Sequence, residues 1–240
     1  MPQWYLGKVN QIQQLSPEVK VFGIAVPSEE RIRFEAGQFI TLDLPISDKR
    51  QARWRSYSLA NAPNELNQLE LCVVHLTGGV ASSYLFDQIE IGSEIKFKEP
   101  FGTFTLPNIA DKDLVMVCTG TGVAPFRSML LSIFEQNIPH RGLHLIFGCR
   151  KEEDILYRIE FEEMAARHPE FTYDIALSRE NKTGFYQGYV HQIYKERYAQ
   201  VRPDVKFMLC GWTKMIDDAV AHLMIDLAYD KSQIMYELYG

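Results

Sequence analysis

The chain has 240 residues, of which 46% are hydrophobic and 23% charged, a composition typical of a globular protein of one or two domains. Its net charge of −6 excludes a basic nucleic-acid-binding protein, and it has neither a run of about 18 apolar residues that would span a membrane nor a secretory signal pattern. The four cysteines form no CxxC pair, so we expect buried, reduced thiols, no metal site and a cytoplasmic location.

The first half of the chain has the pattern of many short strands. Turn residues separate the apolar runs, as in "PNELNQ" and "IGSE". This spacing predicts an antiparallel barrel or sandwich. The predicted strands are 4–12, 19–26, 37–44, 55–60, 69–76 and 93–100, and the one predicted helix in this half is 79–89.

From Asn108 onward the pattern changes to continuous apolar runs that alternate with helical segments. The runs lie at 113–118, 143–149, 171–178, 206–211 and 233–238, and two of the helical segments are 126–137 and 152–168. Such alternation is typical of βαβ units on a parallel sheet. We therefore predict two domains, 1–107 and 108–240, with the boundary near Pro107–Asn108.

The segment "VMVCTGTGVAPFRSML" predicts a strand, a glycine loop and a helix. Gly120 and Gly122 would let the backbone approach a phosphate, and the helix that follows would offer unpaired N–H groups. Pro125 fits an early helical turn, where no N–H donor is needed. A tight turn without a ligand is the alternative interpretation of this glycine pair.

Three motifs in order, "RxYS" at 55–58, "GTGVAP" at 120–125 and "CGxxxM" at 210–215, resemble the ferredoxin–NADP reductase superfamily. The resemblance covers essentially the whole chain. It implies an N-terminal antiparallel β-barrel that binds flavin and a C-terminal α/β Rossmann-like parallel sheet that binds NAD(P). With no cluster-binding cysteine spacing, it implies a form without a fused iron–sulfur domain.

The resemblance implies a FAD site in the first half. Arg55 would contact the pyrophosphate, Tyr57 would pack on the isoalloxazine ring, and Ser58 would lie near flavin N5. A guanidinium suits phosphate oxygens, and a tyrosine ring covers a flat aromatic group. The turn before the predicted helix would supply further pyrophosphate contacts from Gly79, Val80, Ala81 and Ser82. For Ser82, the alternative is that its side chain only caps the helix.

For the second half the resemblance implies a nicotinamide dinucleotide site and a catalytic set. Cys210 and Gly211 would lie beside the nicotinamide. Glu237 would relay protons near N5, and Tyr239 would cover the flavin face, although Tyr239 packed on the core is the alternative. The pyrophosphate of the dinucleotide would bind at Gly120, Thr121, Gly122 and Val123.

The stretch after the third apolar run would distinguish NADPH from NADH. Ser178 and Arg179, helped by Lys182 or Tyr186, would hold a ribose 2′-phosphate, whereas an acidic residue would favour the free 2′-hydroxyl. This favours NADPH. Glu180 follows at once, so NADH stays open.

The implied reaction is hydride transfer from NAD(P)H to bound FAD, followed by electron transfer to a separate carrier. An acidic ferredoxin or flavodoxin, or an oxygenase component, would dock on the positive patch of Lys49, Arg50 and Arg53. Two alternatives remain: a reductase of free flavin, and a flavin-binding electron-transfer subunit of a larger complex.

Overall fold

The computed structural model describes residues 3–27 and 29–239. It separates into two compact units. The first holds the described residues up to Leu106 together with Ala124–Gln136, and the second holds Pro107–Val123 and the described residues from Asn137 onward.

The first unit contains an antiparallel six-stranded sheet. Its strands are β1 (Trp4–Ser16), β2 (Val19–Ala25), β3 (Phe39–Asp43), β4 (Trp54–Ser58), β5 (Gln68–Val74) and β6 (Glu94–Lys98). They lie in the order β4-β3-β6-β1-β2-β5. The terminal strands meet through a bridge between Leu59 and Leu71 and a 2.8 Å hydrogen bond from Ala60 N to Glu70 O, so the sheet closes into the predicted barrel. The short helix α1 (Arg50–Arg53) precedes β4, and α2 (Val80–Asp87) confirms the predicted helix.

The barrel forms because its strands alternate between apolar and polar side chains. In β3, Ile40 and Leu42 are fully buried while their neighbours are half-buried. A period of two places successive side chains on opposite faces of a strand. The inward residues, among them Phe22 and Phe97, form the core of this unit.

The second unit contains a six-stranded sheet of β7 (Asp113–Thr119), β8 (Leu143–Cys149), β9 (Phe171–Leu177), β10 (Tyr186–Gln187), β11 (Val205–Trp212) and β12 (Ile234–Tyr239). The strands lie in the order β10-β9-β8-β7-β11-β12, and every neighbouring pair is parallel. Residues 114–118 of β7 are all buried, as expected for a strand covered on both faces. The predicted fold class is confirmed; β10 was not predicted.

Four helices follow strands of the parallel sheet: α3 (Ala124–Glu135), α4 (Arg158–Arg167), α5 (His191–Arg197) and α6 (Thr213–Ala221). The prediction of a helix over 152–168 is wrong in its first part. Glu152–Asp154 form a 3-10 turn instead, and Tyr157 has a φ of 52°, so the chain turns there before α4 begins. Charged and apolar residues of helical spacing did not reveal this break.

Candidate functional site

Strand β4 carries three of the predicted flavin residues. Arg55 pairs with Leu42 and Tyr57 with Ile40, so both share the face of the barrel core. The Arg55 guanidinium is held in place, because its Nη1 donates to the carbonyls of Ala52 at 3.0 Å and Trp54 at 2.7 Å.

Burial keeps the Tyr57 phenol of this strand uncharged, and it also shields the Ser58 hydroxyl from solvent. Tyr57 packs against the barrel core, and burial raises the pKa of its phenol to about 12, although the charge of Arg55 acts the other way. Ser58 is only 5% exposed. The strand therefore presents an oriented cation, an uncharged aromatic ring and a small hydroxyl.

The turn before α2 has the arrangement of a phosphate-binding helix start. The hydrogen bond from Ser83 N to Gly79 O begins the helical pattern, so the N–H groups of Val80, Ala81 and Ser82 lie ahead of it. The Ser82 hydroxyl accepts from Leu76 N at 3.0 Å and donates to Gly79 O at 3.0 Å. That hydroxyl holds the turn together, whereas the backbone N–H groups are the part that suits a phosphate.

These two elements fit a FAD. A fixed guanidinium and a helix start together match a pyrophosphate, and the Tyr57 ring matches a flat heterocycle. All of them lie in the first unit, together with Ser58.

In the second unit, the glycine loop forms a 3-10 turn at Gly120–Val123, directly between β7 and α3. A Cβ on Gly122 would lie 2.4 Å from the carbonyl oxygen of Cys210, and one on Gly211 would lie 2.5 Å from Thr119 Oγ1. Gly120 differs, since it has a φ of +53° and a Cβ there would meet no atom within 4 Å. Gly122 and Gly211 are therefore required by packing, whereas Gly120 borders open space.

The predicted catalytic residues of this unit come together on neighbouring strands. In the register of β11 and β12, Cys210 pairs with Glu237 and Trp212 pairs with Tyr239. The Cys210 thiol is fully buried, and the side chain of Tyr239 lies near it. Burial, and then the nearby Glu237, raise the pKa of this thiol well above its ordinary value, so Cys210 is an uncharged thiol at neutral pH.

Three of the residues predicted to hold a 2′-phosphate have side-chain partners within the chain. The Ser178 hydroxyl donates to Cys149 O at 3.2 Å, Lys182 Nζ donates to the carboxylate of Glu152, and the Tyr186 hydroxyl accepts from Arg197 at 3.2 Å. Sequence reasoning missed Glu152, because nothing local indicates that two segments 30 residues apart meet.

The predicted positive patch is larger than the sequence suggested. Lys98 Nζ lies 3.6 Å from the centroid of the Trp54 ring, and the Arg50 guanidinium lies 4.9 Å from it. Arg53 forms an ion pair with Asp43 at 2.8 Å. Lys98 was missed because β6 follows β4 by about forty residues in sequence yet lies close by in the barrel.

The expectation that the cysteine thiols are buried is confirmed for three of them. Cys72, Cys118 and Cys210 are buried, but Cys149 is half-buried, because it ends β8 at the edge of the covered region. Among the described residues, no group of three or more His, Cys, Asp or Glu side chains is arranged to hold a metal ion. Within the same residues no helix has the length and apolarity needed to cross a membrane.

Two protein-family models match the chain: the oxidoreductase FAD-binding domain over residues 6–106 and the oxidoreductase NAD-binding domain over residues 116–221. Ferredoxin–NADP reductase B of Sorangium cellulosum is 33% identical over 211 residues, which are 85% of each chain. The reductase component of phenol 2-monooxygenase from Pseudomonas sp. (strain CF600) is 33% identical over 98% of this chain. The chain spans 65% of that relative's length.

A solved structure has the same fold over nearly the full length of both chains. It is a ferredoxin–NADP⁺ reductase from Neisseria gonorrhoeae with bound FAD and NADP, with a TM-score of 0.84, 25% identity and 98% of each chain covered. With both domain models matched in order and a relative covered over 85% of its length, this chain belongs to the ferredoxin–NADP reductase family of FAD- and NAD(P)-dependent oxidoreductases.

Proposed function

We propose that this chain transfers hydride from NAD(P)H to its FAD and passes the electrons to a separate acceptor protein. The observation that carries the proposal is the joining of Cys210, Glu237 and Tyr239 at the ends of β11 and β12, with the Gly122 turn packed against Cys210. Two relatives support the final step, since they are named as the reductase component of a monooxygenase and the electron transfer component of a dioxygenase.

Bound FAD supplies the redox chemistry, accepting hydride and releasing electrons. In our proposal, Arg55 and the N–H groups at the start of α2 bind its pyrophosphate, and Tyr57 packs on its ring. Ser58 donates a hydrogen bond near N5 without blocking the approach of the nicotinamide. The two carbonyls that orient Arg55 support this role, because a guanidinium already fixed in place loses little freedom on binding.

On the dinucleotide side, the loop 120–123 binds the pyrophosphate. Cys210 would present an uncharged thiol to the nicotinamide, because burial keeps the proton on this sulfur at neutral pH. Glu237 would relay protons at this site, and Tyr239 would occupy the place that the nicotinamide takes during turnover. We also propose that the boundary between the two domains lies at Pro107–Asn108 and that the protein is cytoplasmic.

For the acceptor, we propose an acidic carrier such as a ferredoxin or flavodoxin, or an oxygenase component, which docks on Lys49, Arg50 and Arg53. The exposure of Lys49 and Arg50 and the neighbouring Lys98 support an anionic partner. Attraction between a basic patch and an acidic protein raises the association rate and weakens with salt.

The acceptor experiment measures electron transfer from the FAD-loaded protein to an acidic [2Fe–2S] ferredoxin as ionic strength is raised. We expect the rate to fall with salt, and Lys49→Glu with Arg50→Glu to lower it about tenfold at low salt. Lys231→Glu, an exposed lysine of the second unit, is the matched control. A rate that is independent of salt and of the patch variants would rule out docking on this patch.

A further inference from the structure

The geometry points to Glu152 as a residue that sets the choice between NADH and NADPH, by holding Lys182 in an ion pair away from a ribose 2′-phosphate. This inference rests on the proposed use of NAD(P)H. Glu152 acts through Lys182 and is therefore a positioning residue.

The loops that follow β8 and β9 are joined side by side. Ser178 N donates to Cys149 O at 3.0 Å, and Arg179 N donates to Arg150 O at 2.8 Å. The two strands are adjacent and parallel, and these loops lie at their carboxyl ends. That edge is where a ligand of an open α/β sheet binds.

Glu152 is the centre of the charges at this edge. Its carboxylate accepts from Lys182 Nζ and from Arg158 Nη1, the latter at 2.7 Å, and its backbone N–H donates to Glu180 at 2.8 Å. The hydrogen bonds from Lys182 and then Arg158 lower the pKa of the Glu152 carboxyl. Glu152 is thus ionised at neutral pH, and it pairs with the ammonium group of Lys182 that a 2′-phosphate would otherwise bind.

The loop charges cancel one another. Residues 150–154 and 178–182 together contain four basic and four acidic side chains: Arg150, Lys151, Arg179 and Lys182 against Glu152, Glu153, Asp154 and Glu180. A 2′-phosphate needs an excess of cationic donors, whereas a 2′-hydroxyl is satisfied by a carboxylate acceptor. This balance favours NADH, whereas Ser178 and Arg179 considered alone favour NADPH.

Lys182 has room to change partners. Its side chain is 46% exposed, so the ion pair rather than burial determines its position. It lines a cavity of about 280 Å³ whose wall also contains Glu152, Arg158, Phe185 and Tyr186. Arg158 lies over the Phe185 ring at 5.2 Å and keeps a second carboxylate, Glu162 at 2.7 Å, so it stays anchored when Glu152 is changed.

The test compares Glu152→Gln, Lys182→Met and the double variant in the FAD-loaded protein. Glu152→Gln frees the lysine, so kcat/KM for NADPH relative to NADH rises by about tenfold, the size of one charge-assisted contact. The change lies in KM, with kcat unchanged, and ferricyanide serves as the electron acceptor. Lys182→Met alone changes the ratio little, because the lysine is already neutralised, while in the double variant the gain disappears.

Calorimetric binding of 2′-phospho-AMP and of AMP gives a readout that does not depend on turnover. Glu152→Gln is expected to tighten 2′-phospho-AMP about tenfold and to leave AMP unchanged. Glu153→Gln is the matched control, since Glu153 pairs with Lys151 on the same loop. An unchanged ratio in folded Glu152→Gln, or an equal effect of Lys182→Met in both backgrounds, would overturn the inference. Loss of flavin reduction in the unmodified protein, with these binding differences intact, would instead contradict the proposed function.

Discussion

Gly122→Ala tests whether the packing of the glycine loop positions the reacting groups. The new Cβ would lie 2.4 Å from the Cys210 carbonyl oxygen and 2.7 Å from the carbonyl carbon, where ordinary contact begins at 3.4 Å. The loop and β11 must therefore separate by about 1 Å. Overpacking of this size costs about 1–3 kcal/mol. We expect Tm to fall by about 4–8 °C for a cost of about 2 kcal/mol in a chain of this length.

The same displacement is expected to slow the chemistry. Misplacement of reacting groups by about 1 Å lowers a rate by about 100-fold. Anaerobic stopped-flow reduction of the bound flavin, at saturating NADH, measures this limiting rate, and calorimetry measures Tm.

Gly120→Ala is the control, because its Cβ would meet no atom within 4 Å. Its φ of +53° costs about 1 kcal/mol for alanine, and the methyl group would border the phosphate space. It should raise the apparent Kd for NADH more than it lowers the limiting rate. A Gly122→Ala protein with Tm within 1 °C and a limiting rate within about twofold of the unmodified protein would refute the packing argument.

Three further predictions concern single side chains. Arg55→Ala should raise the Kd for FAD by about 10- to 100-fold through loss of charge-assisted hydrogen bonds, measured by equilibrium dialysis, and an unchanged Kd would remove Arg55 from the site. Ser58→Ala should keep FAD bound but slow flavin reduction about tenfold, and normal stopped-flow kinetics would exclude its role. Burial, and then His222, lower the pKa of His191 to about 4. Between about pH 6.5 and pH 4 the His191 side chain is therefore protonated in the unfolded chain but neutral in the folded chain. The free energy of unfolding, measured by urea titration, should therefore be highest above about pH 6.5 and fall by about 2–3 kcal/mol as the pH approaches 4. His191→Gln should reduce this pH dependence, and an equal dependence of the free energy of unfolding on pH in both proteins would contradict the prediction.

The fold could be predicted because its strands follow local rules. The alternation in β3 and the unbroken apolar run of β7 each identify the type of sheet they belong to. The start of α4 could not be predicted from the sequence, because Tyr157 has a left-handed backbone conformation and interrupts a segment whose residues otherwise suit a helix.

The candidate site was predictable where a motif is contiguous and not where distant segments meet. Arg55, Tyr57 and Ser58 lie on one strand. Cys210 and Glu237 are on different strands, and only the family resemblance suggested that they belong to one site; the pairing of β11 with β12 brings them side by side. The ion pair of Lys182 with Glu152 and the contact of Lys98 with Trp54 depend on tertiary structure, and long charged side chains carry no local signal of their partner.

The most direct test of the central claim is an anaerobic titration of the FAD-reconstituted protein with NADH and with NADPH, followed by visible absorbance. We expect the protein to take up about one FAD per chain and about one equivalent of reduced dinucleotide to bleach the flavin band. Reduction by NADH at lower concentration than by NADPH would agree with the assignment of Glu152. A protein that takes up no FAD, or a bound flavin that neither dinucleotide bleaches, would contradict the account.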